Sequence, residues 1–198
     1  MALTQKIDST NSAVDISYRE IDQIASILMP FNLTSPCVFA SPHSGSNYSP
    51  EFINSSCLNI VDLRRSEDRY VNELFQSAPQ FGAPLISALF PRAFIDVNRE
   101  PYELDPFMFS GVIPSYVNTS SDRAAAGFGT IARLVEIGME IYGSKMPFSD
   151  AEARIEKYYK PYHVALKNLI LETKHQFGFA ILVDCHSMPS SAVEAEPK

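Results

Sequence analysis

The sequence has no tryptophan, only three cysteines, and no apolar run approaching the roughly 20 residues that a membrane span needs. The cysteines, Cys37, Cys57 and Cys185, are far apart and form no CxxC pair. This spacing argues against a disulfide framework and against a paired-cysteine zinc site. The polar N-terminus lacks the apolar core of a secretory signal. We therefore expect reduced thiols, a cytoplasmic location and no membrane partner.

The chain also lacks an excess of positive charge. Its 16 lysines and arginines are outnumbered by 23 acidic residues, for a formal net charge of −7. That balance argues against a nucleic-acid surface. The 198 residues suit a single domain spanning 1–198. We expect residues 1–18 to be a polar leader and residues 190–198 a polar tail.

Short apolar runs alternate with helix-like segments along the chain, which predicts an α/β sheet covered on both faces. The predicted strands are 37–40, 85–90, 93–97 and 179–183, and the last of these is expected to be fully buried. The predicted helices are 18–29, a helix capped by Ser66 with its apolar stripe over 70–75, 130–142, and a long helix over 150–175 that Pro161 should bend. Residues 105–129 show little periodicity and are predicted to form a long loop.

Polar clusters follow three of the predicted strands, at residues 43–45, 96–99 and 184–186. In open α/β sheets, ligands bind outside the carboxyl ends of the strands. We therefore expect these clusters to meet in one crevice.

Two of these clusters carry a histidine, and a catalytic zinc site typically uses three protein ligands and one open position. His43 and His186 could supply two ligands, and Glu67 or Asp68 the third. Such a site would lower the pKa of bound water. Asp184 lies two residues before His186 on an extended segment, so it could orient the imidazole.

Other reactive residues are less suited to nucleophilic catalysis. Ser44 lacks a GxSxG elbow. Cys185 and His186 are neighbours on a strand and should face opposite sides, so Cys185 is expected to be a small core residue. His163, on the long helix, could act as a proton donor. Arginine side chains bind carboxylates through two nitrogens, which makes Arg92, Arg99 and Arg133 candidates for binding an acidic substrate.

Five stretches occur here in the order typical of one enzyme family. They are SPHSGSNYSPEF, LRRSEDRYVNELF, PRAFIDVNREPYELDP, AEARIEKYYKPYHVAL and LVDCHSMPSS. Together they span roughly residues 36–191, and the sequence resembles the N-formylglutamate amidohydrolase family.

This resemblance implies a three-layer α/β sandwich with a mixed, mainly parallel sheet, of the phosphorylase/hydrolase-like or zinc-exopeptidase-like kind. It implies zinc-dependent hydrolysis of N-formyl-L-glutamate, or a similar N-acyl acidic amino acid, to formate and L-glutamate, a late step of histidine breakdown. One zinc ion would be held by His43, by Asp68 or Glu67, and by His186, with Asp184 behind them. Arg99 is the first choice for the substrate carboxylates, followed by Arg133, Arg92 and Ser44.

The family pattern continues well beyond the DCHSMP motif, whereas this sequence stops at Lys198. Some catalytic groups would then be absent, so Glu67, Asp68 or His163 would have to take up and pass on the proton. The alternative function is a truncated, non-catalytic homologue that binds a small carboxylate. Completion by a second subunit, as a homo-oligomer, is a further expectation, and the expected partner is a small-molecule substrate.

Overall fold

A five-stranded mixed sheet organises the chain in the computed structural model, which describes residues 16–188 and residue 190. The strand order is β1-β2-β4-β3-β7. The β1–β2 and β2–β4 pairs are antiparallel, and the β4–β3 and β3–β7 pairs are parallel. The expected mixed α/β sheet is therefore confirmed, but the expectation that it is mainly parallel is wrong for these five strands, which form two parallel and two antiparallel pairs. The sheet strands are β1 (Ile16–Ile21), β2 (Ala25–Pro30), β3 (Cys37–Ser41), β4 (Leu85–Ala88) and β7 (Ile181–Asp184).

Helices and a second, two-stranded sheet fill the connections. The small sheet pairs β5 (Phe109–Ser110) with β6 (Met146–Pro147). The α-helices are α1 (Pro50–Ser55), α2 (Ile60–Leu63), α3 (Val71–Leu74), α4 (Asp122–Ala125), α5 (Phe148–Arg154) and α6 (Lys160–Phe177). Single 3-10 turns occupy Arg64–Ser66, Ala78–Phe81 and Pro106–Met108. The segment 105–129, predicted to be a loop, thus holds three short elements.

Apolar side chains of the inner strands alternate between the two faces of the sheet. Ile86 of β4 joins a large cluster beneath α5 and α6, whereas its neighbour Leu85 joins a smaller cluster with Ala78 and Ala83 on the other side. Since successive side chains of a strand point to opposite faces, both sides of the central strand are covered.

The segment 18–29, predicted to be a helix, is instead the β1–β2 hairpin. Its turn has Asp22 and Gln23 at positive φ, and Ile24 N–H donates to the carbonyl of Ile21. Positive φ at both central residues is the type I′ geometry that suits a tight hairpin. The i, i+3 spacing of apolar residues is typical of a helix, but here the chain reverses direction at this turn, so the predicted helix was wrong. The predicted leader 1–18 was also too long, since β1 begins at Ile16.

Two further predicted elements do not form, namely the strand over 93–97 and the helix over 130–142. Residues 93–97 form a turn rather than a strand, although Ala93, Ile95 and Val97 are buried. Burial of these side chains anchors a loop, and the Asp96 N–H donates to Thr130 rather than to a sheet neighbour. Residues 130–142 are bends and turns rather than a helix, with Gly138 at positive φ.

The long helix predicted over 150–175 is present but not regular. It begins as α5, passes through a π-helical turn over Ile155–Tyr159, and continues as α6 to Gly178, which caps it at positive φ. The wider turn lies directly before Pro161, whose ring cannot fit against an undistorted preceding turn. A π-helical turn thus lies near Pro161, and the predicted bend of the helix stays a prediction.

Strand β7 is exposed, contrary to the prediction of a fully buried strand. Within the described residues it pairs only with β3, and Ile181 and Leu182 are 47% and 45% exposed. No residue of the run 179–183 is buried, and only Ala180 and Val183 are half-buried. Among all the described residues, 16–188 and 190, no helix is long and apolar enough to cross a membrane. Most of the predicted leader and tail, 1–15 and 191–198, lies outside the described residues.

The central strand should carry much of the stability. Replacing Ile86, which is fully buried, with alanine leaves a cavity, and we expect a loss of about 2–5 kcal/mol in the free energy of unfolding. Ile137→Ala is the matched control, because Ile137 is 91% exposed and its loss should change stability by no more than about 0.5 kcal/mol. Urea denaturation measures both, and equal midpoints for the two variants would contradict the assigned core.

Candidate metal centre

Two neighbouring parallel strands deliver the two histidines to the same edge of the sheet. β3 ends at Ser41 and β7 at Asp184, and Ala40 is paired with Asp184 in the parallel register. His43 and His186 each follow two residues after the end of their strand. Their ring centroids lie 4.7 Å apart, so the predicted convergence of the two imidazoles is present.

The His43 loop is held tightly against the end of β4. A Cβ atom at Gly45 would lie 2.1 Å from the carbonyl oxygen of Phe90, so no other residue fits there without moving the backbone. Asn47 N–H donates to the carbonyl of Leu89 at 2.9 Å. The glycine of the HSG sequence is therefore needed for close approach of two backbones.

Asp68 reaches the histidines because the predicted helix starting at Ser66 does not form there. The chain makes a 3-10 turn, then an extended stretch, and α3 begins only at Val71 after Tyr70 at positive φ. In this stretch the Asp68 N–H donates to the carbonyl of His43 at 3.0 Å. The interruption thus ties the acid to the histidine loop.

His43, Asp68 and His186 form a cluster that could hold a metal ion. One ligand atom from each lies within 4.8 Å of the others. Asp68 Oδ2 is 2.8 Å from His186 Nδ1 and 3.5 Å from His43 Nδ1. The His43 Nδ1 atom is buried and has no hydrogen-bond partner among the described residues. A buried polar atom is nearly always satisfied, so this orphaned nitrogen marks the place where a cation would bind.

Each imidazole has an acid behind it. His43 Nε2 lies 2.7 Å from Asp96 Oδ1, and His186 Nε2 lies 2.8 Å from Asp184 Oδ2. The Asp184 contact is the one expected from the sequence. An acid on Nε2 favours the tautomer that carries its hydrogen there and leaves Nδ1 free. His43 Nδ1 therefore has a lone pair available, whereas His186 Nδ1 lies at hydrogen-bond distance from Asp68 Oδ2 and would have to lose its proton to bind a cation.

Charge pairing dominates the electrostatics of the cluster. Burial disfavours ionisation of Asp68, but its contacts with His186 and His43 outweigh burial and hold the pKa of its carboxyl well below the usual range. The contacts of Asp184 and Asp68 raise the pKa of His186 to about 9. Asp68 is thus ionised at neutral pH and presents negative charge to a cation.

A cleft of about 860 Å³ opens beside the cluster. Asp68 and Asp96 lie on its wall, together with the guanidinium groups of Arg65, Arg92 and Arg123. Arg92 Nη2 donates to Asp96 Oδ2 at 2.9 Å. The cleft therefore combines a candidate cation site with several positive side chains, which suits a small anionic molecule.

Comparison with known proteins places this arrangement in a family. A sequence model described as N-formylglutamate amidohydrolase matches residues 35–198. The chain belongs to the N-formylglutamate amidohydrolase family.

The family assignment extends to individual relatives. The chain is 24% identical over 157 residues to an N-formylglutamate deformylase of Pseudomonas aeruginosa, and 23% identical over 155 residues to one of Pseudomonas putida. These matches cover 78% of this chain but 53% and 52% of the relatives. The chain thus spans about half the length of the curated relatives it matches.

A solved structure, N-formylglutamate amidohydrolase from Ralstonia eutropha, superposes with a TM-score of 0.82 at 31% identity. The superposition covers 89% of this chain and 63% of that one. The α/β fold with its mixed sheet is therefore that of the family.

Arg133 and Arg99, two of the three arginines predicted to bind the substrate, are not on the wall of the cleft. Arg133 donates to Asp105 at 2.7 Å and to Glu140 at 3.0 Å, and it lines a separate cavity. Arg99 Nε is buried without a hydrogen-bond partner in the described residues, 3.9 Å from Asp96 Oδ2. Of the three predicted arginines, only Arg92 lies on the wall of the cleft.

The two predicted proton-transfer groups have other partners, although Glu67 also lies on the wall of the cleft. The Glu67 carboxylate accepts from Arg64 Nε at 3.0 Å and lies 3.3 Å from Arg69 Nε. It is not part of the metal cluster, so Asp68 is the acid that meets the histidines. His163 Nε2 lies 2.8 Å from the carbonyl oxygen of Val97 and donates to it, and burial lowers the pKa of this histidine. Catalytic roles for Glu67 and His163 stay predictions.

The sequence placed Asp96 in the crevice as part of the 96–99 cluster but gave it no role of its own. The cleft residues Arg65 and Arg123 were not predicted. Arg123 lies in a segment predicted to be loop, and nothing in its local sequence marks it. Ser44 contacts the Ser41 hydroxyl at 2.8 Å, and its substrate-binding role stays a prediction.

Cys185 should be chemically inert despite its position beside His186. Its side chain is buried, and burial raises the pKa of the thiol to about 11. Since the thiolate is the nucleophile, we expect iodoacetamide at pH 8 to modify exposed Cys57 at least roughly 10–100 times faster than Cys185. Peptide mass spectrometry over a time course measures both rates, and comparable rates would contradict this assignment.

Proposed function

We propose that this chain is a zinc-dependent amidohydrolase that cleaves N-formyl-L-glutamate, or a closely similar N-acyl acidic amino acid, to formate and L-glutamate. The single observation that carries the proposal is the cluster of His43, Asp68 and His186. Two relatives are N-formylglutamate deformylases by name. The cluster sits in the part of the chain that the family match covers.

The donor set suits zinc. Two imidazole nitrogens and one carboxylate oxygen form a ligand set used by catalytic zinc sites, in which a fourth position stays open for water. When bound, zinc would lower the pKa of that water and polarise the formyl carbonyl. Asp96 and Asp184 would hold the two imidazoles with Nδ1 turned inward. His43, Asp68 and His186 would therefore act as the metal ligands.

The cleft supports an acidic substrate. Arg92, Arg65 and Arg123 line it, and guanidinium groups pair with carboxylates in a two-point geometry. A glutamyl group carries two carboxylates, so these arginines could orient it with its formyl group toward the cluster. We retain Arg99, which lies close to Asp96, as a further carboxylate ligand.

Several wider expectations belong to the same proposal. They are the three-layer phosphorylase/hydrolase-like arrangement, a cytoplasmic location, a role in histidine breakdown, and a homo-oligomeric assembly. The apolar clusters on both faces of the sheet support the layered arrangement. The other three rest on the sequence.

Metal binding is the first test. We expect the purified protein, stripped with chelator and titrated with zinc, to bind one ion per chain. His43→Ala, Asp68→Ala and His186→Ala each remove a ligand, and each should cost more than the roughly 10–100-fold in affinity expected for an outer partner of a ligand. Competition with a chromophoric chelator measures the affinity.

His175→Ala is the matched control for the metal titration. His175 is an exposed residue in the last turn of α6, and its loss should leave zinc affinity unchanged. A wild-type protein that binds no zinc would end the proposal. Zinc binding with glutamate affinity but no formate release from N-formylglutamate would favour the non-catalytic carboxylate-binding alternative.

Substrate recognition is tested at Arg92. Hydrogen bonds to charged groups contribute about 1.5–3 kcal/mol, so Arg92→Gln should raise KM for N-formylglutamate about 10–100-fold if its guanidinium binds a carboxylate. Arg19→Gln is the control, because Arg19 is exposed on β1. The rate of formate release measured against substrate concentration gives kcat and KM for each variant. An unchanged KM in Arg92→Gln would show that Arg92 does not bind the substrate.

A further inference from the structure

Asp96 is a buried carboxylate that touches both halves of the candidate site. It is 3% exposed and lies on the turn that follows the end of β4. Its Oδ1 atom lies 2.7 Å from His43 Nε2 and accepts the Asn98 N–H at 2.8 Å. Its Oδ2 atom accepts from Arg92 Nη2 at 2.9 Å. One oxygen therefore faces a metal ligand and the other faces a cleft arginine.

We propose that Asp96 is a positioning residue that couples the metal ligand His43 to the substrate-binding guanidinium of Arg92. The inference rests on the proposed function and extends it, since it assigns a role to a residue that touches neither the metal nor the substrate. His43 Nε2 is committed to Asp96, and His43 Nδ1 has no hydrogen-bond partner in the part of the chain that the structure describes.

The surroundings hold Asp96 in place from two sides. Its own N–H donates to the carbonyl of Thr130 at 2.8 Å. The helical segment that contains Tyr159 and His163 holds the backbone after Asp96. The Tyr159 hydroxyl donates to the Arg99 carbonyl at 2.6 Å, and His163 donates to the Val97 carbonyl. The π-helical turn before Pro161 thus contributes to the placement of the acid. A carboxylate held this firmly can determine the ring orientation of His43.

Loss of the negative charge should affect both partners at once. Asp96→Asn retains the shape of the side chain and an oxygen that can face Nε2, but it removes the charge that strengthens the hydrogen bonds to His43 and Arg92. We expect zinc affinity to fall about 10–100-fold. We also expect a rise in KM for N-formylglutamate, because Arg92 loses the partner that orients it.

The discriminating comparison is between Asp96→Asn and Arg92→Gln. Arg92→Gln should raise KM while leaving zinc affinity within about threefold of wild type, whereas Asp96→Asn should change both. The visible absorption spectrum of the cobalt-loaded protein gives an independent readout of ligand geometry, and it should change in Asp96→Asn only. Asp150→Asn, an exposed acid in the first turn of α5, is the control and should resemble wild type.

The outcomes separate this inference from the proposed function. If wild type binds zinc and Asp96→Asn binds it equally well with an unchanged cobalt spectrum, the positioning role is wrong and the proposed function stands. If wild type binds no zinc, both fail together. Circular dichroism tests folding, and Asp96→Ser serves as a second variant. If neither variant folds, Asp96 is a structural residue and the positioning role is overturned.

Discussion

The parallel pairing of β3 with β7 is the contact on which the site depends. It places two chain segments, 143 residues apart from His43 to His186, at one edge of the sheet and in one register. Each strand contributes a histidine two residues beyond its end. A shift of one residue in this register would turn one imidazole away from the other, because neighbouring side chains of a strand face opposite sides. The backbone ladder is therefore as important to the cation site as the ligands themselves.

The strands that carry the site could be predicted, because each is a short apolar run followed by polar residues, although β7 is exposed rather than buried. The runs at 37–40, 85–90 and 179–183 correspond to β3, β4 and β7. The general rule about the carboxyl ends of strands then indicated where His43 and His186 would meet. The choice between Glu67 and Asp68 could not be made from sequence, since it depends on how the chain between Ser66 and Val71 leaves the helical path.

The misjudged segments share a physical cause. Residues 18–29 and 130–142 have helix-like spacing of apolar residues, yet both contain a turn with a positive φ value, at Asp22 and Gln23 and at Gly138. Periodicity describes which side chains are buried and does not say whether the chain reverses between them. Residues 93–97 show the complementary error: three buried side chains anchor a loop whose backbone pairs with no strand. Burial of these three side chains holds Asp96 in position, although the loop is not part of the sheet.

The two imidazoles of the candidate metal centre differ in their exposure to solvent, and this difference would set the order in which an ion contacts them. The His43 side chain is 4% exposed and lies in the loop that Gly45 holds against the end of β4, whereas the His186 side chain is 31% exposed just after β7, an edge strand among the described residues. An incoming ion would meet His186 first and reach His43 last. A chelator would approach along the same path, so extraction would begin with the outer nitrogen and end with the inner one.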